Sequence, residues 1–158
     1  MRKVESIELQ CSGLACPYWD GSAAGLWLGM GLDTSSRDLV QAVLEGVALR
    51  SAQAMAAIHA RLPLASSVSV DGGLARNPYF SQFLANALNR SVVIPATEDV
   101  TGLGISQLAY LGAGLSSDGS VPPVAGPERT IVPREPLSDD VHLRFADAVE
   151  RARGWRTH

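Results

Sequence analysis

Long apolar runs are missing from this sequence, and so is any run of like charge. No stretch reaches the roughly 20 uninterrupted apolar residues that a membrane helix needs. The opening MRKVESIELQ carries charge where a signal peptide would place its apolar region. A cytoplasmic protein with no membrane partner is therefore expected. The 13 basic residues are scattered instead of forming a stripe, and the formal net charge is −3, so nucleic acid is not an expected ligand. Cysteine is scarce. Cys11 and Cys16 form one CxxxxC pair with no second pair and no nearby histidine to complete a zinc site, and reduced structural thiols are expected. Two phosphate-binding signatures are also absent: there is no GxxxxGK[ST] loop, and the glycines of GLWLGMG do not complete GxGxxG.

What is present is apolar and layered. The 158 residues are 46% hydrophobic and only 18% charged, enough for one domain with its own core and with a surplus that suits a partner face, such as that of a homo-oligomer. Met1 to Gln10 hold at most one short strand, and the region to residue 23 is broken by Gly13, Pro17, Gly21 and Ser22. AGLWLGMGL, 24 to 32, reads as a buried strand, and Asp33 to Ser35 as a turn. From Asp38 to His59 a long helix is expected, with Leu39, Val43, Val47 and Ala54 on one face and small residues (Ala42, Gly46, Ala48, Ala52) for close packing. SVSV, 67 to 70, and SVVIP, 91 to 95, read as strands, with a helix from Asn77-Pro78 to Asn89 between them and another over 101 to 114. Residues 117 to 137 read as a proline-rich connector, and 138 to 155 as a closing helix with acidic start and basic end. The order points to an α/β domain.

The stretch VSVDGGLARNP carries the chemistry. A strand ends, two glycines turn the backbone, and a capped helix begins four residues after Gly73. Bare backbone at Gly72 and Gly73 would let a purine or a phosphate lie on the main chain, with free amides near the helix start to receive its charge. The Asn77 side chain would cap the helix or bond the nucleotide. An ordinary strand-to-helix turn uses the same residues for geometry alone, and the segment by itself leaves both readings open. Glu45, on an apolar helix, is expected to form a salt bridge or a hydrogen bond to a neighbouring turn rather than to act in catalysis. His59 and His142 sit at helix ends as solvated or capping groups. Tyr18 and Trp19 suit either the core or a cleft facing another lobe.

Several segments together resemble the FGGY family of carbohydrate kinases, in its glycerol kinase-like branch. SGLACPYWD, 12 to 20, is similar to that branch's SGLGAPYWD. GLWLGMGLDTSSRDLVQAVLE, 25 to 45, fits a long family signature. VDGGLARNPYFSQFLANALNRSVVIP, 70 to 95, is similar to the nucleotide-site segment, and TEDVTGLGISQLAYLGAG, 97 to 114, to the helix built on TALGAA that follows. The resemblance runs from Ser12 to Trp155. It implies a ribonuclease-H-like, actin-like ATPase fold: the C-terminal lobe of a two-lobed kinase, N-terminally truncated, with residues 1–116 as its core, 117–137 as connector and 138–158 as its last helix. It implies ATP and Mg as cofactors, and a polyol or sugar, favouring glycerol, bound through an N-terminal lobe that supplies the catalytic base and metal ligands. No catalytic residue is expected in this chain. Gly73 and Asn77 fall on the family's nucleotide contacts, with Asp71 and Gly72 supporting the turn. The departures from the family pattern are Ala15-Cys16 and the run Thr101 to Ser106, where Ile105 replaces a small residue and is expected to alter helix packing.

Overall fold

The computed structural model describes residues 6–8, 13–97, 99–115, 119–121 and 126–156; Cys11, and with it the cysteine pairing, lies outside them. The chain begins with strand β1 (Ser6–Glu8), antiparallel to β2 (Leu26–Leu28), with Ile7 opposite Trp27. Between them Gly13 adopts a φ of +93°, and a side chain there would meet the backbone of Asp20 and Gly21 at 2.5 Å. The Cys16–Pro17 peptide is cis. β2 corrects the expected strand over 24 to 32: it spans three residues, stops before Gly29, whose φ is +79°, and leaves Met30 and Leu32 exposed. With one partner strand among the described residues, the segment has no sheet there large enough to bury it.

Helix α1 (Ser36–His59) starts from a complete capping box, in which the Ser35 side chain accepts from the Asp38 amide and the Asp38 carboxylate accepts from the Ser35 amide at 2.8 Å. Its buried face is Ala42, Glu45, Gly46, Ala48, Leu49 and Ala52. That face is rotated from the expected one. Small side chains let α1 approach β1 and the next helix closely, while Leu39, Val43 and Val47 stay half-buried at the flanks.

β3 (Ser67–Ser69) leads through a short 3-10 turn (Gly73–Arg76) into α2 (Pro78–Leu88), which returns to β4 (Ser91–Pro95), parallel to β3. This βαβ unit is the frame of the domain. Phe80, Phe83 and Leu84 of α2 are buried together with Val92 and Ile94 of β4. Helix α3 (Val100–Gly112) follows, and then β5 (Pro127–Ile131), antiparallel to β4 with a register irregularity at Ile94/Pro95. The order β3-β4-β5 makes a small mixed sheet. β5 lies inside the stretch read as connector: its flanking prolines masked a strand that pairs along only one edge, where proline is tolerated.

Helix α4 (Asp139–Ala152) packs on β1, β2 and α1, inserting Phe145 and Val149 into the core. Its end is stitched to the N-terminal loop: the Ala24 amide donates to Ala152 O at 3.1 Å and the Arg156 amide to Ser22 O at 2.8 Å. α3 is the exception among the helices. It has no buried residue, and Ile105 and Leu108 are 64% and 70% exposed. Ile105 therefore crowds nothing here, contrary to the packing change expected of it. Among the described residues no helix is long and apolar enough to cross a membrane.

Candidate functional site

The C-terminal ends of the parallel strands β3 and β4 lie side by side, and the segments leaving them, 71–77 and 96–97, share one edge of the sheet. Open α/β sheets bind ligands at such an edge. Asp71, Gly72 and Gly73 are exposed there, and Asn77 is half-buried four residues on. All four expected site residues thus sit on one continuous turn.

The two glycines differ in what they contribute. Gly72 has φ +100° and ψ 172°, a conformation essentially restricted to glycine. Gly73 has no such requirement, and a Cβ built on it would meet nothing within 4 Å. One glycine is required by the backbone; the other leaves open space.

The expectation that free amides at the start of α2 would receive a phosphate needs correction. Pro78 has no N–H, the amides of Tyr79 and Phe80 both donate to Asn77 Oδ1 at 3.0 and 3.1 Å, and the Ser81 amide donates to Asn77 O. Asn77 acts as the helix cap, and among the described residues its Nδ2 group makes no hydrogen bond. The unused donors lie earlier. Among the described residues, the amides of Gly72, Gly73 and Leu74 have no acceptor, whereas the Ala75 amide already donates to Gly72 O at 3.0 Å. Three consecutive amides on an exposed turn are thus left without a protein acceptor.

Two contacts hold this turn from behind. The buried Ser81 hydroxyl donates to Ala75 O at 2.5 Å, and the Arg129 guanidinium donates to the same carbonyl at 3.2 Å. Sequence reasoning missed Arg129 because it fell in the supposed connector. In the neighbouring loop Asp99 caps α3, its Oδ1 accepting from the Gly102 amide at 2.7 Å, and a Cβ at Gly102 would come within 2.5 Å of that carboxylate.

Most of the other singled-out residues make structural contacts. Glu45 is buried, accepting from Gln41 Nε2 at 2.8 Å and from the Tyr79 hydroxyl, which ties α1 to the first turn of α2 as expected. His59 Nδ1 accepts from the Leu64 amide at 3.1 Å. Tyr18 lies against two guanidiniums, with Arg50 and Arg153 at 5.2 and 5.3 Å from its ring centroid, while Trp19 is 77% exposed and belongs to no core. Asp20 accepts from the Ser22 hydroxyl at 2.5 Å, the Ser22 amide at 2.8 Å and the Gly154 amide at 3.0 Å. The Ser22 hydroxyl first, then these amides, hold its carboxyl below the ordinary carboxylate value.

A capped helix behind a diglycine turn, at the carboxyl ends of parallel strands, defines an α/β module. The model of the FGGY family of carbohydrate kinases, C-terminal domain, matches residues 7–113, and the chain belongs to this family. It is 33% identical to a glycerol kinase of Thermus brockianus over 147 residues, covering 91% of this chain and 30% of that protein. With a glycerol kinase of Bordetella parapertussis it shares 36% identity over 149 residues, covering 91% of this chain and 29% of the relative. The chain thus spans about three tenths of the length of these curated relatives. Among solved structures, a xyloylose kinase from Brucella ovis superposes with a TM-score of 0.81 at 26% identity, covering 94% of this chain and 32% of that one. Plasmodium falciparum glycerol kinase with ADP superposes at 0.75 and 23% identity, covering 96% of this chain and 31% of that one, a likeness of fold.

Proposed function

We propose that this chain forms the nucleotide-holding side of an ATP-dependent kinase that transfers the γ-phosphoryl group to a hydroxyl of a small polyol, with glycerol as the favoured substrate. The observation that carries this reading is the set of three acceptor-less amides at Gly72, Gly73 and Leu74, in a chain of a carbohydrate kinase family. Its relatives named as glycerol kinases, and the ADP named with the Plasmodium enzyme, support the nucleotide and the substrate class. Asp71 and Gly72 would shape the turn, Gly73 would receive the nucleotide against bare backbone, and Asn77 would donate through Nδ2.

Phosphoryl transfer depends on positioning and charge neutralisation more than on covalent help from the protein. This chain's part is to fix the nucleotide. The proton-accepting base and the polyol-binding groups belong, by resemblance, to the N-terminal lobe of the family, so the chain alone would not catalyse. Among the described residues no cluster of three or more His, Cys, Asp or Glu could hold a metal. A Mg2+ ion carried in with ATP would draw its ligands from the phosphates and from side chains outside these residues. On this reading the fold is the ribonuclease-H-like C-terminal lobe, working in the cytoplasm.

The test is calorimetric titration of Mg-ADP into the purified chain and into Gly73→Val. Because a side chain at Gly73 meets nothing, the variant is expected to fold and to lose binding. A folded wild-type chain that binds no Mg-ADP would overturn the reading for this chain by itself. The bare apolar face of α3 favours a second reading, a nucleotide-binding or dimerisation module without catalysis. Co-expression with a chain carrying the family's N-terminal half separates the two: polyol-dependent ADP formation excludes the module.

A further inference from the structure

A groove of about 300 Å3 runs between the first turns of α2 and strand β5, on the side of the domain marked by Pro78, Gln82, Thr130 and two arginines, Arg129 and Arg134. Among the described residues no carboxylate lines it, although the chain as a whole carries a net charge of −3. Among the described residues the Arg134 side chain has no hydrogen-bond or ion-pair partner, and Arg129 uses its guanidinium on a single carbonyl, Ala75 O. Two cations lining one concave surface repel each other unless an anion joins them.

The walls are held in place. Asn86 Oδ1 accepts from the backbone amides of Arg134 and Glu135 at 3.0 and 3.3 Å, and from Gln82 Nε2 at 3.2 Å. Gln82 Nε2 also donates to Val132 O at 3.0 Å. These bonds fix the segment carrying Arg134 against α2 before any ligand arrives, which lowers the ordering cost of binding. Planar guanidiniums match the oxygens of a phosphoryl group better than a point charge does, and the Thr130 hydroxyl adds a neutral donor.

We propose that this groove binds a small phosphate-bearing anion, held by Arg129 and Arg134, at a site separate from the diglycine turn. Through its bond to Ala75 O, Arg129 also touches the backbone that follows that turn. The site does not depend on the nucleotide reading.

Inorganic phosphate is the probe, titrated into the isotopically labelled chain at constant ionic strength, with sodium chloride as the reference and backbone amide shifts as the readout. Saturable shifts are expected at residues 129–132 and 134, and Arg129→Gln and Arg134→Gln should each weaken the apparent affinity by about tenfold or more. Both arginines are exposed, so Arg134→Gln in particular should leave the fold intact, as the remaining spectrum will report. Gly73→Val should leave phosphate binding in the groove unchanged, which separates this site from the nucleotide turn. Shifts no larger than those with chloride, shifts confined to residues 72–74, or an affinity indifferent to both glutamine variants would overturn the proposal.

Discussion

Asp20 concentrates in one carboxylate the closure of this domain's two ends. It accepts from Ser22 within its own loop and from Gly154 beyond the last helix, and Arg153 approaches it at 3.9 Å. Its carboxyl is held below the ordinary value of 3.8, chiefly by the Ser22 hydroxyl. A depressed folded value means that the ionised carboxylate favours the folded state. That contribution is whole above the unfolded value and is lost as pH falls through the folded one. Asp20→Asn should therefore lower stability at neutral pH, and the gap to the wild-type chain should close in acid as the wild-type carboxylate protonates. Urea unfolding at a series of pH values checks this. A gap that stays constant with pH would show that Asp20 acts through shape and neutral hydrogen bonds alone.

Among the elements, α4 shows how a helix on the rim supports the centre. Phe145 is fully buried against a core that also holds Leu49 of α1 and Phe83 of α2. Phe145→Ala removes that ring and leaves a cavity, a loss of about 3–5 kcal/mol and so a large share of the total stability of an ordinary domain. A fall of this size in the denaturation free energy is the expected outcome, and a change under about 1 kcal/mol would mean that α4 docks without supporting the core. This helix was legible in the sequence because its acidic start, basic end and apolar period agree. So was α2, whose Asn-Pro start is a cap with a physical cause. β5 was not, since the prolines and glycines around it are those of a loop, and only pairing with β4 makes a strand of it. The face of α1 was misread for a related reason. A helix apolar on most sides is oriented by its neighbours, here through small residues that no periodicity singles out. At the candidate site the diglycine turn and the Asn77 cap were visible in the residues themselves. That the cap consumes the first amides of α2, and that Arg129 reaches the turn from β5, depend on contacts between segments far apart in the chain.

At the scale of the whole molecule the layers are uneven. One side, built from α1, α2 and α4, closes a continuous core around β4. The other leaves α3 bare, with Ile105, Leu108, Leu111 and Leu115 all exposed. Contiguous apolar surface of this kind marks a site of association, and the relatives, more than three times as long as this chain, have further structure available to cover it. Isolated in water, the chain should satisfy that face with a second copy. Sedimentation velocity over a concentration series should then show self-association in the wild-type chain and a monomer in the double variant Ile105→Glu with Leu108→Glu. Because these side chains pack against nothing in the described structure, the variant should unfold within about 0.5 kcal/mol of the wild type. Equal monomers would remove the dimer reading, and a large loss of stability would mean that α3 is held to the domain by its apolar face after all.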